Sequence, residues 1–147
     1  MTSLSWSNTR ITVLEYCQKK YFFTYYSDGL KKKYPELWQE TKILKKLKSL
    51  EMWMGEMTHK IISMYLHQLK KHVLENWPAP DEEQIINTIK KQMETIFIES
   101  KTNDYTNFVN FWLSEHFYQE INDTALEPVI EKVIQNLKAF IGSQYHQ

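Results

Sequence analysis

Residues 51–76 read EMWMGEMTHKIISMYLHQLKKHVLEN. Met52, Gly55, His59, Ile62, Leu66, Leu69 and Val73 recur at alternating spacings of three and four, the period of one helical face. The stripe predicts a helix from about Glu51 to Asn76 with that face turned to a core. Trp77-Pro78-Ala79-Pro80 ends it, because a residue before proline is pushed out of the helical region.

The same period extends in both directions. Upstream, Ser7 is placed to cap a helix running to about Tyr26, with Ile11, Leu14, Cys17, Tyr21 and Tyr25 on one side. Pro35 suits the first turn of a second helix, whose apolar face is Ile43, Leu47 and Leu50. Downstream, Asp81 with Gln84 forms a capping box for a helix striped by Ile85, Ile89, Met93 and Ile96. Asn103 and Asp104 interrupt the pattern. A further helix is expected over about Tyr105 to Ile121, carrying Phe108, Phe111, Trp112 and Tyr118. Thr124 with Glu127 reads as a second capping box, opening a last helix with Ile130, Val133, Leu137, Phe140 and Ile141 and a stop at Gly142. No strand alternation appears. The expected fold class is all-α: about six helices in a single domain over residues 1–147.

Composition agrees with that class and limits the chemistry. At 147 residues, 42% hydrophobic and 24% charged, the chain is long enough to bury one core. Three Gly and four Pro leave few tight turns for an all-β fold. Cys17 stands alone, which excludes an internal disulfide and suits a reducing cytoplasm. No apolar run approaches the roughly 18 residues of a membrane span, and the first residues lack a secretory pattern. Eighteen basic against eighteen acidic residues sum to zero charge. The distribution is uneven, however. Residues 1–72 hold thirteen basic and six acidic residues (net +7), and residues 73–147 hold five and twelve (net −7). A basic half beside an acidic half points to a polar partner for the first.

Three stretches together resemble the N-terminal helical part of PD-(D/E)XK nucleases of the RecB-type exonuclease and CRISPR-associated group. They are Leu4-Ser5-Trp6-Ser7-Asn8-Thr9-Arg10 continuing to Tyr16-Cys17-Gln18-Lys19-Lys20-Tyr21-Phe22; Leu44-Lys45-Lys46-Leu47 running to Trp53-Met54-Gly55-Glu56-Met57-Thr58-His59; and Leu113-Ser114-Glu115-His116-Phe117-Tyr118. The resemblance implies that Gly55 and His59 form the family's G-x-x-x-H element, whose histidine lies near the catalytic metal. It implies Mg²⁺ or Mn²⁺ for a complete relative, with an Asp and a (D/E)-x-K on a small sheet. This chain is expected to stop before that sheet and so to be inactive as a nuclease alone, with His59 a catalytic and metal-proximal candidate only in a completed fold. One imidazole lacks the carboxylates that hold such an ion. Some relatives use a cysteine at the place of Cys17 for an iron–sulfur cluster. Four thiolates are needed and one is present, so no cluster is expected and Cys17 reads as a buried small hydrophobe.

Two formal matches to the nuclease signature fail, the first of them on geometry. Pro80-Asp81 and Glu99-Ser100-Lys101 lie eighteen residues apart on one predicted helix, about 27 Å at 1.5 Å per residue. Glu40-Thr41-Lys42 sits on a basic predicted helix and reads as a chance triplet.

Lys19, Lys20, Lys31, Lys32, Lys33, Lys42, Lys45, Lys46 and Lys48 supply most of the excess positive charge. They form either a solvated face or a phosphate-tracking one, since lysines on phosphates release counterions and bind without sequence preference. Tyr21, Phe22, Phe23, Tyr25 and Tyr26 lie beside them, as core packing or as stacking platforms for single-stranded DNA. The nucleic-acid candidates are Lys19, Lys20, Tyr21, Lys42, Lys45 and Lys46. His59 is open to a second reading, as a core histidine on its stripe. Glu115 and His116 point about 100° apart on a helix and read as structural, while His67 and His72 miss the i, i+4 spacing for a shared metal.

The expected function is therefore the helical, DNA-facing portion of a PD-(D/E)XK nuclease-like protein in DNA processing. Its partners would be DNA, single-stranded in particular, and either a protein supplying the catalytic sheet or further copies of itself, with no membrane. The alternative is a non-catalytic helical protein–protein interaction module derived from the nuclease scaffold.

Overall fold

The computed structural model describes residues 7–102 and 111–143. Seven α-helices account for most of them, in the all-α class expected from the helical period. The chain divides into two compact units, Met1–Leu47 and Lys48–Gln147.

In the first unit, Ser7 caps α1 (Asn8–Tyr16) as expected, its hydroxyl accepting from the Arg10 amide at 3.3 Å. The expected continuous helix to Tyr26 is broken at Cys17. That residue is extended (φ −162°, ψ 110°), and α2 (Gln18–Tyr25) starts afresh behind it. Neither Gly nor Pro marks the break. Instead the Cys17 sulfur accepts from the Lys20 amide at 3.5 Å, as the Ser7 hydroxyl does from Arg10. Cys17 is thus a helix cap, half-buried rather than in the core.

A 3-10 turn at Ser27–Leu30 leads to α3 (Pro35–Lys46), with Pro35 in its first turn as expected. Among the described residues of this unit, the buried side chains are Tyr21, Ser27 and Thr41. The Tyr21 ring lies 5.1 Å from that of Tyr25 and 5.7 Å from that of Tyr26. Thr41 donates to the Leu37 carbonyl, and the Lys45 ammonium donates to the Ser27 hydroxyl, each at 2.7 Å. Two of the three buried groups are polar, so hydrogen bonds rather than apolar area satisfy much of this interior.

The second unit is organised by α4 (Leu50–Glu75), α5 (Glu82–Lys101) and α7 (Leu126–Ile141), which pack pairwise. Each contributes a stripe at helical spacing: Trp53, Met57, Ile61 and Tyr65; Ile85, Ile89, Met93 and Phe97; Val129, Ile130, Val133 and Leu137. Burying each such side chain contributes about 1.5–3 kcal/mol, so these twelve dominate the unit. Ser49 caps α4, accepting from the Met52 amide at 3.2 Å, and Asp81 caps α5, accepting from the Gln84 amide at 2.9 Å. The left-handed Asn76 (φ 54°) closes α4 ahead of Trp77-Pro78.

Four expectations are corrected. The stripe read on α4 is not the buried one. Met52, Leu66 and Val73 are exposed, and the core face is the four-residue repeat beginning at Trp53. The helix expected over Tyr105 to Ile121 shrinks among described residues to α6 (Ser114–Phe117), preceded by strand β2 (Trp112–Leu113). Tyr105 and Phe108 lie outside the described residues. The cause is a buried tether: the Leu113 amide donates to the Ser100 hydroxyl at 2.7 Å, taking that amide out of helical pairing. Gln119, at φ 57°, then ends the helical turn. Thr124 caps nothing. It sits in a 3-10 turn at Asp123–Ala125 and donates to the Asn122 side chain at 2.6 Å, so α7 begins with no side-chain cap. Finally, strands of two residues, β1 (Leu47–Lys48) and β2, form a minimal ladder in a chain expected to have none.

Candidate nucleic-acid interface

Cations sit over aromatic rings throughout the first unit. Lys42, one helical turn after Trp38 on α3, places its ammonium 3.9 Å from the ring centroid, and Lys31 from the preceding turn lies 5.1 Å from it. Lys20 lies 5.7 Å from the ring of Tyr16, which is 82% exposed. Lys33 is 5.4 Å from the Tyr34 ring, and the Arg10 guanidinium 4.5 Å from that of Tyr25. Energetically significant cation–π pairs occur about once per 70–80 residues, so this short segment is dense in them. The unit holds nine basic and four acidic residues, a net +5.

The candidate residues occupy distinct settings. Lys19, Lys20, Lys42 and Lys45 are exposed, and Lys46 is half-buried. Lys45 is engaged with Ser27, and Lys42 with Trp38. Tyr21 is buried, and a hydrogen bond with Tyr26 raises its phenol pKa above the ordinary value, with burial adding to the shift. Exposed ring area comes instead from Tyr16, Phe22, Tyr26 and Tyr34. Reading by stripe missed Tyr16, Tyr34 and the cluster of Lys31, Trp38 and Lys42. The i, i+4 spacings of Tyr16 to Lys20 and of Trp38 to Lys42 were the available signal.

His59 stands in the second unit, exposed on α4, off the buried stripe. That position removes the reading as a core histidine. A side chain added at Gly55, one turn earlier, would meet nothing within 4 Å, so that face is open. Among described residues no three His, Cys, Asp or Glu side chains group closely enough to hold a metal ion. The donor set at His59 therefore does not fit a divalent ion by itself. Asp81 and Glu99 stand at opposite ends of α5, where the spacing argument puts them.

Glu115 and His116 are structural, as expected, though their tasks differ. Glu115 accepts the Leu50 amide at 2.8 Å and the Ser114 hydroxyl at 3.0 Å, placing a carboxylate at the positive end of α4. His116 is buried with its ring edge-on to Phe97 at 4.5 Å, and its Nδ1 lies 3.0 Å from the Ser100 hydroxyl. Ser100 accepts from Leu113, which leaves its hydroxyl proton for a neutral imidazole. Burial lowers the His116 pKa from its ordinary value, and Lys101 pushes in the same direction.

No family model, curated protein or solved structure matches this chain. No described helix is long and apolar enough to cross a membrane.

Proposed function

We propose that this chain is the helical, DNA-facing portion of a PD-(D/E)XK nuclease-like protein that acts in DNA processing and is catalytically incomplete alone. The observation carrying the proposal is the pairing of lysines with aromatic rings in the basic first unit. Lys19, Lys20, Lys42, Lys45 and Lys46 would neutralise phosphates, with Tyr21 buried against Tyr25 and Tyr26 in the same unit. Tyr16 and Tyr34, exposed beside Lys20 and Lys33, offer π-faces to unpaired bases. Single-stranded DNA fits this arrangement better than duplex, because stacked pairs hide those faces. His59 keeps its family-like role only where carboxylates and their Mg²⁺ or Mn²⁺ are supplied from elsewhere.

Fluorescence polarisation with a short single-stranded oligonucleotide, titrated across salt concentration, tests the reading. Each phosphate contact contributes a slope of about −0.7 in log K against log salt. Replacing Lys19, Lys20 and Lys42 by alanine together should therefore flatten the slope by roughly 2. Absence of binding at low salt sinks the DNA reading and favours the interaction module. Cleavage by the isolated chain with Mg²⁺ or Mn²⁺ sinks the claim of incompleteness.

A further inference from the structure

α4 carries two apolar faces, and its own unit fully buries only one of them. The buried face, Trp53, Met57, Ile61 and Tyr65, advances by fours. The other advances by sevens: Met52, His59, Leu66 and Val73, with Gly55, Ile62, Leu69 and Asn76 each three residues later. At 100° per residue the two sets point roughly 150° apart. Met52 is 64%, Leu66 44% and Val73 68% exposed, while Ile62 and Leu69 rest half-buried on the core's edge. Five of these eight positions are apolar, His59, Gly55 and Asn76 being the exceptions, and an apolar repeat of seven is the seam of a helix pair rather than of a monomer core. Gly55 is an open notch in that seam.

We propose that a second copy of this chain covers this face, with the two α4 helices antiparallel about a two-fold axis near Met64. The flanking charges select both the occupant and the direction. With the axis at Met64, Glu56 falls beside Lys70 of the partner subunit, two residues from direct opposition, and symmetry makes the pair twice. In the seam, Gly55 receives Val73 of the partner subunit and Ile62 meets Leu66 of the partner subunit. A parallel pair would set Glu51 against Glu56 of the partner subunit, like against like. Glu56 now bonds Lys48 at 2.6 Å on the surface, and an exposed pair of that kind exchanges readily. The proposal does not rest on the DNA reading.

Sedimentation equilibrium of the full chain without nucleic acid provides the test, with circular dichroism confirming that each variant is folded. The wild type should pass from monomer to dimer with concentration, and Leu66→Glu should remain monomeric. Glu56→Lys and Lys70→Glu should each weaken self-association roughly tenfold by turning two attractive pairs repulsive. Mixing those two variants should restore it, because each altered position then meets its opposite charge on the other chain. A wild type monomeric throughout, a Leu66→Glu variant that dimerises equally, or a mixture no stronger than either variant alone would each overturn the proposal. DNA binding could survive all three outcomes.

Discussion

Ser100 is the residue on which the most depends per atom. Its one hydroxyl accepts from the Leu113 amide and serves His116 Nδ1, so it supports both the turn into α6 and the neutral state of the imidazole. Ser100→Ala leaves two buried polar groups without partners and should cost about 1–3 kcal/mol in urea unfolding, measured near neutral pH. The histidine adds a pH dependence of known sign. Its folded pKa lies below that of the unfolded chain, near 6.5, so unfolding takes up a proton in the interval between them. That contribution is complete above about pH 6.5 and is lost as pH falls toward the folded value. Burial and then Lys101 lower the pKa, while Asp123 and Glu115 pull it up. His116→Gln should flatten the stability profile between roughly pH 7 and 5, and an unchanged profile would contradict the assignment.

At the scale of elements, the helices with strong stop and start chemistry were legible in advance. Pro35, Asp81 and the Trp77–Pro80 stretch mark ends that the structure reproduces. Asp81→Ala removes the acceptor for the Gln84 amide and should destabilise the second unit by about 1 kcal/mol, read as a lowered denaturation midpoint. Other elements were hidden for physical reasons. A thiol sulfur capping α2 has no place among the usual capping residues, so the break at Cys17 left no signal. The turn before α6 depends on a hydroxyl thirteen residues away, which local periodicity does not register. On α4 two apolar stripes coexist in one sequence, and period alone does not say which faces inward. The same ambiguity governed the site. His59 was singled out by motif and the lysines of the first unit by charge, whereas the cluster at Trp38 needed the turn that brings Lys31 back.

Across the whole molecule, zero net charge conceals two units of opposite sign, +5 over Met1–Leu47 and −5 over Lys48–Gln147. Their interiors differ as much as their charge. The first encloses Tyr21, Ser27 and Thr41, and the second a continuous apolar cluster from three helices. Local opening follows buried apolar contact. Amide exchange should therefore be faster in α1, α2 and α3 than at the buried positions of α5 and α7, and equal protection would refute that division. An oligonucleotide bound to the lysine face should slow exchange in the first unit selectively.

The bond from the Leu50 amide to Glu115 spans 65 residues of chain. On a nascent polypeptide the longest helix emerges early, yet its first turn lacks this acceptor until α5 has been made and the chain has doubled back. Closing so wide a loop is slow relative to winding a helix. The N-terminal end of α4 is thus a late-maturing part of a helix whose middle can form early, and order there reports that the whole second unit has come together.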